Sequence, residues 1–337
     1  MASTTALKIH RMPHDANGNT TASMPGSRRF VRFFSLWSVV AALTFCPSGT
    51  RAEELSNIVA PGAKVEKIAQ GFRYIDGPVW DSRGWLLFSD IPGDTIYKWV
   101  PGPRTRRGGA RLPTALVGSL RVFHRPSGHS NGLTLDDQNR LIACELDRRI
   151  SRTDAYGVVS TLADTFEGKR LNSPNDLVVK RDGSVYFTDP PYGITNDKDR
   201  ELPFSGIFRI AVDGKLSVLK RDMPFPNGLA FSPDETRLYV VDSEANQIHV
   251  FEVAADGSLG QSRLFAEVKL AGSRDGPDGI KVDAQETLSI ALSRYRQFED
   301  IDFFEAWLVA RGVSLRLPVA AFDRNLDKFK DISRYEL

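Results

Sequence analysis

One pattern returns five times along the chain at an interval near fifty residues, and it limits the possible folds more than any other feature. Each copy is a short apolar run, a polar turn and a second apolar run. The copies extend from Gly77 to Asp90, Asn131 to Glu145, Asn175 to Asp189, Asn227 to Asp242 and Asp278 to Leu292. Their anchors Gly77, Gly132, Asp176, Gly228 and Gly279 lie 55, 44, 52 and 51 residues apart. The turns between the runs are rich in Asp, Asn, Ser and Gly, the chemistry of hairpin connections. Further strand-like runs follow at Thr95–Trp99, Ile150–Asp154, Gly206–Ile210 and Gln247–Val253. Repeats of this length with several strands each specify a β-propeller. A sandwich predicts no such period, and a solenoid needs shorter units. The expected fold is all-β: a six-bladed propeller scaffold with five clear blades and a degenerate or incomplete last one. A sixth inner strand belongs near residue 330, yet the sequence given stops at Leu337, and the fifth repeat carries Leu292 where the others end in Asp or Glu. Phe298–Gly312 reads as an amphipathic helix instead. Lys64–Ile68 is a candidate outer strand for the closing blade.

The ends divide from this body. Residues 1–52 read as an N-terminal extension and signal peptide, 53–297 as the blades, and 298–337 as a divergent segment replacing part of the closing blades. Arg28, Arg29 and Arg32 precede an apolar run of 13 residues, Phe33 to Phe45, and Thr50-Arg51-Ala52 offers a small-x-small cleavage site. The run is shorter than the ~20 residues a spanning helix needs. Export to the periplasm or medium is therefore expected, with no membrane association after cleavage. The first 52 residues hold six of the 44 Lys and Arg but one of the 42 Asp and Glu, which leaves 38 bases against 41 acids. A body of that sign has no electrostatic footprint for nucleic acid. Arg104, Arg106, Arg107 and Arg111 read as a solvated loop. Cys46 leaves with the signal, so Cys144 stands alone in an apolar run as a core residue.

In a propeller the inner strands border a central channel, so one position per repeat faces one axis. Asp76, Asn131, Asn175, Asn227 and Asp278 occupy that position. All are oxygen donors, as a hard divalent cation such as Ca²⁺ requires, and the imidazole and thiolate that suit zinc are missing from the set. The residues alone also admit a plainer reading. Asn-Gly, Asn-Asp and Asp-Gly are ordinary turn dipeptides, and repeats repeat their turns. Tyr192 and Asp189 read as channel-mouth residues or as part of a turn. His124 and His129 read as loop residues, and Trp80, Trp85 and Trp99 as packing. Ser130 and Ser173 have no His and Asp in a recognisable order, which disfavours a serine hydrolase.

Five segments carry a family resemblance: Asp76 to Trp80, Leu171 to Asp176, Thr188 to Gly193, Pro226 to Gly228 and Gly276 to Gly279. They resemble the senescence-marker-protein, gluconolactonase and luciferin-regenerating-enzyme family, its bacterial gluconolactonase branch above all, over roughly residues 64–292. The resemblance implies metal-dependent hydrolysis of sugar lactones, with a small-molecule lactone as partner. It implies one divalent metal in the channel, Ca²⁺ first, with Zn²⁺, Mg²⁺ or Mn²⁺ as alternatives. Asp76, Asn227 and Asp278 match its metal ligands, Asp278 its acid/base carboxylate, and Asn175 a substrate contact. Asn131 and Tyr192 are the further substrate-binding candidates. Two departures set this chain apart. The family normally has Glu where Asp76 stands, and its motif dissolves after Ala284. They give weight to an alternative, a non-catalytic or decayed propeller acting as a binding module.

Overall fold

Apolar runs without alternation, such as Leu86 to Phe88 or Tyr239 to Val241, need cover on both faces. Stacked blades supply it. The computed structural model describes residues 68–102, 106–107, 110–111, 118–268, 275–282, 288–294, 309–310 and 313–314. It is a β-propeller built from consecutive antiparallel meanders. The first blade holds Ile75–Asp81, Trp85–Asp90, Thr95–Val100 and Ser119–His124. The second holds Ser130–Leu135, Leu141–Glu145, Arg149–Thr153 and Val159–Ala163. The third holds Leu177–Val179, Val185–Asp189, Gly206–Ile210 and Leu216–Lys220. The fourth holds Pro226–Phe231, Arg237–Asp242, Gln247–Glu252 and Arg263–Glu267. The fifth contributes the hairpin Asp275–Val282 and Leu288–Arg294.

The first strand of each blade packs against the first strand of the next, from the first blade to the fifth. The second strand lies between neighbouring blades and is buried almost throughout: Leu141–Glu145 and Val185–Asp189 have no accessible residue. The fourth strand is the outer rim, and in the first blade it is largely exposed. These rim strands lack a strong apolar pattern because they face water, and the sequence pattern accordingly did not mark them.

The core is not one mass but a series of seams between blades. Leu87, Ile96, Leu133, Leu141 and Ala143 fill the seam between the first and second blades. Cys144, Ile150, Leu177, Phe187 and Phe208 fill the next. Tyr186, Ile207, Leu229, Leu238 and Phe251 fill the third. Tyr239, Val241, Ile248 and Ile280 join the fourth blade to the fifth.

Hydroxyls clip the seams together near the channel. Ser89 Oγ donates to Asn131 O at 2.9 Å, Thr188 Oγ1 to Asn227 O at 2.8 Å and Ser243 Oγ to Pro277 O at 2.6 Å. Between the second and third blades the backbone does the same, Gly132 N–H to Asn175 O at 2.8 Å.

Two expectations change. The helix expected over Phe298–Gly312 is not helical where it is described: Val309–Ala310 pairs antiparallel with Val313–Ser314, as branched residues favour. The rest of that stretch lies outside the described residues. In the arginine run expected as loop, Arg106–Arg107 pairs with Ala110–Arg111. Lys64–Ile68 lies outside the described residues except for Ile68, which forms no strand and packs with Phe72 and Ile75 on Leu86, Phe88 and Trp99. The signal-peptide expectation also falls outside them. Among the described residues no helix is long and apolar enough to cross a membrane.

Candidate active site

A β-hairpin has strict pairing, so an extra residue on one strand must bulge. Four of the five inner strands bulge at the same place, while Leu177–Val179 of the third blade pairs without a slip. The register slips between Asp76 and Val79, between Ser130 and Leu133, between Pro226 and Leu229, and between Pro277 and Ile280. A bulge re-aims the side chains within it, which is why bulges gather beside functional sites. The Asp-Gly and Asn-Gly pairs therefore lie inside strands at bulges, and the turn reading of them is set aside.

The register also gives four of the five positions the same place in their blades. Ile75 pairs with Asp90, Ser130 with Glu145, Pro226 with Asp242 and Pro277 with Leu292. In each case the next residue is the candidate: Asp76, Asn131, Asn227 and Asp278. Asn175 has the corresponding place, its N–H donating to Thr188 O at 2.9 Å one residue before Asp189. Leu292 thus stands opposite Pro277, in the place of an acid.

The anchor glycines explain how the five come together. A Cβ on Gly77 would lie 2.2 Å from Asn131 O, one on Gly132 2.7 Å from Asn175 O, and one on Gly228 2.3 Å from Asp278 O. Each obstacle is backbone, and Gly77 also has φ of +57°. Only glycine lets neighbouring inner strands approach this closely. The candidates therefore follow one another around the axis in chain order.

Asn131 is 5% exposed, Asn175 6%, Asn227 2% and Asp278 8%, and Asp76 is half-buried. No described residue hydrogen-bonds to the side-chain amides of Asn131, Asn175 or Asn227. Their amide atoms are not sealed off from solvent, which leaves them open to a ligand. Asp76 Oδ1 accepts from its own Gly77 N–H at 2.6 Å. No group of three His, Cys, Asp or Glu side chains is gathered among the described residues. The ring instead offers two carboxylates and three carboxamides, all hard oxygen donors suited to a Ca²⁺-like ion.

The Tyr192 ring stacks on Phe225 with centroids 5.8 Å apart, two residues before Asn227. Its loop is tied down by Gly193 N–H, which donates to Ser173 Oγ at 2.6 Å. Ser130 Oγ meets Ser89 Oγ at 2.9 Å. His129 pairs with Asp147 at 3.0 Å, so neither serine has a histidine base among the described residues. Burial pushes the Cys144 thiol well up, with Asp176, Asp189 and Glu145 adding to it. That thiol is a core group, as expected, and not a nucleophile.

The sequence reading passed over what supports these residues. The acids ending the second strands brace loops: Asp90 Oδ1 accepts from Arg73 and Tyr74 N–H, each at 3.2 Å, and Glu145 binds Arg149 at 2.7 and 3.0 Å. Their recurrence in the repeat was the available signal.

The family model described as SMP-30/Gluconolactonase/LRE-like region matches residues 75–305. A gluconolactonase of Zymomonas mobilis subsp. mobilis is 33% identical over 297 residues, covering 80% of this chain and 77% of its own. A solved gluconolactonase of Xanthomonas campestris is 33% identical with a TM-score of 0.56, covering 67% of this chain and 74% of its own. A luciferin-regenerating enzyme is similar in fold, at 18% identity and a TM-score of 0.50, over 66% of this chain and 69% of its own.

Proposed function

The chain belongs to the SMP-30/gluconolactonase/LRE-like family, and on that premise we propose that it is a lactonase that opens sugar lactones by hydrolysis in its central channel, with a divalent metal. The observation that carries the reading is the ring of three carboxamides that meet no hydrogen-bond partner among the described residues, flanked by Asp76 and Asp278. Asp76, Asn227 and Asp278 would hold the ion, Ca²⁺ by the chemistry of the donors. A bound cation supplies Lewis-acid polarisation of the lactone carbonyl. The protein's own groups supply the rest. Asp278, on the bulge of the fifth blade, takes the proton of the attacking water and returns it to the ring oxygen as the ester bond breaks. General acid–base help of this kind is worth about 10²–10⁴-fold. Asn131 and Asn175 offer amide donors and acceptors to the sugar hydroxyls. In this reading Tyr192 lies over the mouth with Phe225 behind it, a flat apolar face of the kind sugar rings stack on.

The test is hydrolysis of a panel of aldonolactones by the purified protein, with and without chelator, beside Asp278→Asn. Loss of at least about a hundredfold in Asp278→Asn is expected, with a smaller loss in Asn175→Ala and abolition by chelator. Full activity in Asp278→Asn would remove the assigned base. Inactivity of the wild type on every lactone would favour a binding module.

A further inference from the structure

Asp189 ends the second strand of the third blade and has no exposed surface. It stands where two loops meet. One is the segment from Leu171 to Asp176, which carries Asn175. The other begins at Asp189 itself and carries Tyr192. Asn172 N–H donates to Asp189 Oδ2 at 2.8 Å, and Asn172 Nδ2 donates to Asp189 O at 3.0 Å. The same Nδ2 also reaches Phe204 O at 2.9 Å. The loops are joined again one step on, by Gly193 N–H to Ser173 Oγ. Asp189 Oδ1 has no hydrogen-bond partner among the described residues. A buried carboxyl with one oxygen satisfied and one bare is poised between its charged and neutral forms.

We propose that Asp189 is a positioning residue for the substrate loops: its carboxyl clasps the backbone of the segment bearing Asn175 to the root of the loop bearing Tyr192, and the clasp loosens when that carboxyl ionises. The inference rests on the assignment of Asn175 and Tyr192 to substrate.

The groups facing Asp189 come from three sides. Arg148 follows the second strand of the second blade, and its guanidinium binds Leu171 O, Arg170 O and Asp199 O. Arg200 donates to Asn172 Oδ1 at 3.3 Å and to Ser205 Oγ at 3.1 Å. Cys144 faces it across the seam. Burial raises the Asp189 carboxyl to about 7, against the pull of the Asn172 and Ser173 N–H groups and of Arg148 and Arg200. Ionisation above that point places a charge where the closed loops exclude water, and that cost outweighs the stronger Asn172 N–H bond, so the ionised form favours opening of the loops. A drawn-in Asn172 fixes Asn175 three residues on. Asp189 touches neither substrate nor metal in this reading, so its effect falls on KM.

The experiment compares wild type, Asp189→Asn and Asn172→Ala between about pH 5.5 and pH 8.5, with kcat and KM separated and spontaneous lactone opening subtracted. Asn keeps the shape and the acceptor but cannot ionise. Wild-type KM is expected to rise as pH rises through about 7, by about three- to tenfold. Asp189→Asn should stay at the low KM throughout with kcat within about twofold. Asn172→Ala should raise KM at every pH yet keep the inflection, because the Asn172 N–H remains. Hydrogen exchange on the wild type gives a readout free of activity: corrected for intrinsic rates, the amides of residues 172–176 should lose protection across the same interval. An inflection retained in Asp189→Asn, or protection that does not change with pH, overturns the proposal. A protein inactive on lactones whose exchange shows the transition would unseat the lactonase reading and leave the clasp standing.

Discussion

Replacing Asp189 with Asn removes a carboxyl that folding withdraws wholly from water, and the effect on stability has a definite sign and pH window. The carboxyl rises from 3.8 to about 7 on folding, through burial. Each unit corresponds to about 1.4 kcal/mol, so keeping the charged form buried costs the native state about 4 kcal/mol at high pH. The direction is the reverse of a salt-bridged Asp. Below about pH 4 both folded and unfolded chains hold the proton and nothing is lost. Through about pH 4–7 the unfolded chain alone ionises, and wild type loses stability. Above about pH 8 the penalty is complete. Asn cannot ionise, so it escapes this term. Its amide meets the same bare surroundings as Oδ1, but that cost does not change with pH and cancels in the comparison. Denaturant unfolding of both proteins at about pH 5 and about pH 8 measures the result. The stability of Asp189→Asn relative to wild type should improve by about 2–3 kcal/mol between the two. A difference constant within about 0.5 kcal/mol, or one that moves the other way, would mean that Asp189 is ionised at little cost in the native protein.

Further outcomes follow from the strand packing, the ring of oxygen donors and the leader sequence. Gly228→Ala, whose Cβ meets Asp278 O at 2.3 Å and Ile280 N at 2.7 Å, should lower stability by about 1–3 kcal/mol. Gly260→Ala, where no contact is nearer than 3.5 Å, should be close to neutral in the same melt. Ca²⁺ at about a hundredfold excess over its Kd should stabilise the protein by about 2.7 kcal/mol, and Asp76→Glu should lower that Kd; no shift with any divalent ion would argue against a metal site. Mass spectrometry of the exported protein should find a mature N-terminus after Ala52, and an intact leader in the cytosol would contradict export.

How much of this was legible in one dimension depends on what the residues had to record. The propeller was, because a repeated meander writes its period into the chain: apolar run, turn and apolar run recur wherever a blade recurs. The five ring positions were legible for the same reason, and the strand register gives four of them, Asp76, Asn131, Asn227 and Asp278, the same place in their blades. The choice between a turn and a ligand position was not. Asn131-Gly132 reads alike in both, and only the pairing shows it within a strand, at a bulge, against Asn175 O. The glycines follow the same logic, since Gly228 is demanded by a carbonyl 50 residues away that local propensity cannot sense. The rim strands escaped notice because water on their outer side leaves no apolar rhythm to read. Asp189 was visible as a repeated terminal acid like Asp90, Glu145 and Asp242, yet its chemistry differs from theirs. Glu145 meets the guanidinium of Arg149, while Asp189 is closed off from water with one oxygen unpartnered. A side chain's position follows from the local pattern, but its charge state depends on which distant groups and how much water surround it, and the packed blades alone decide that.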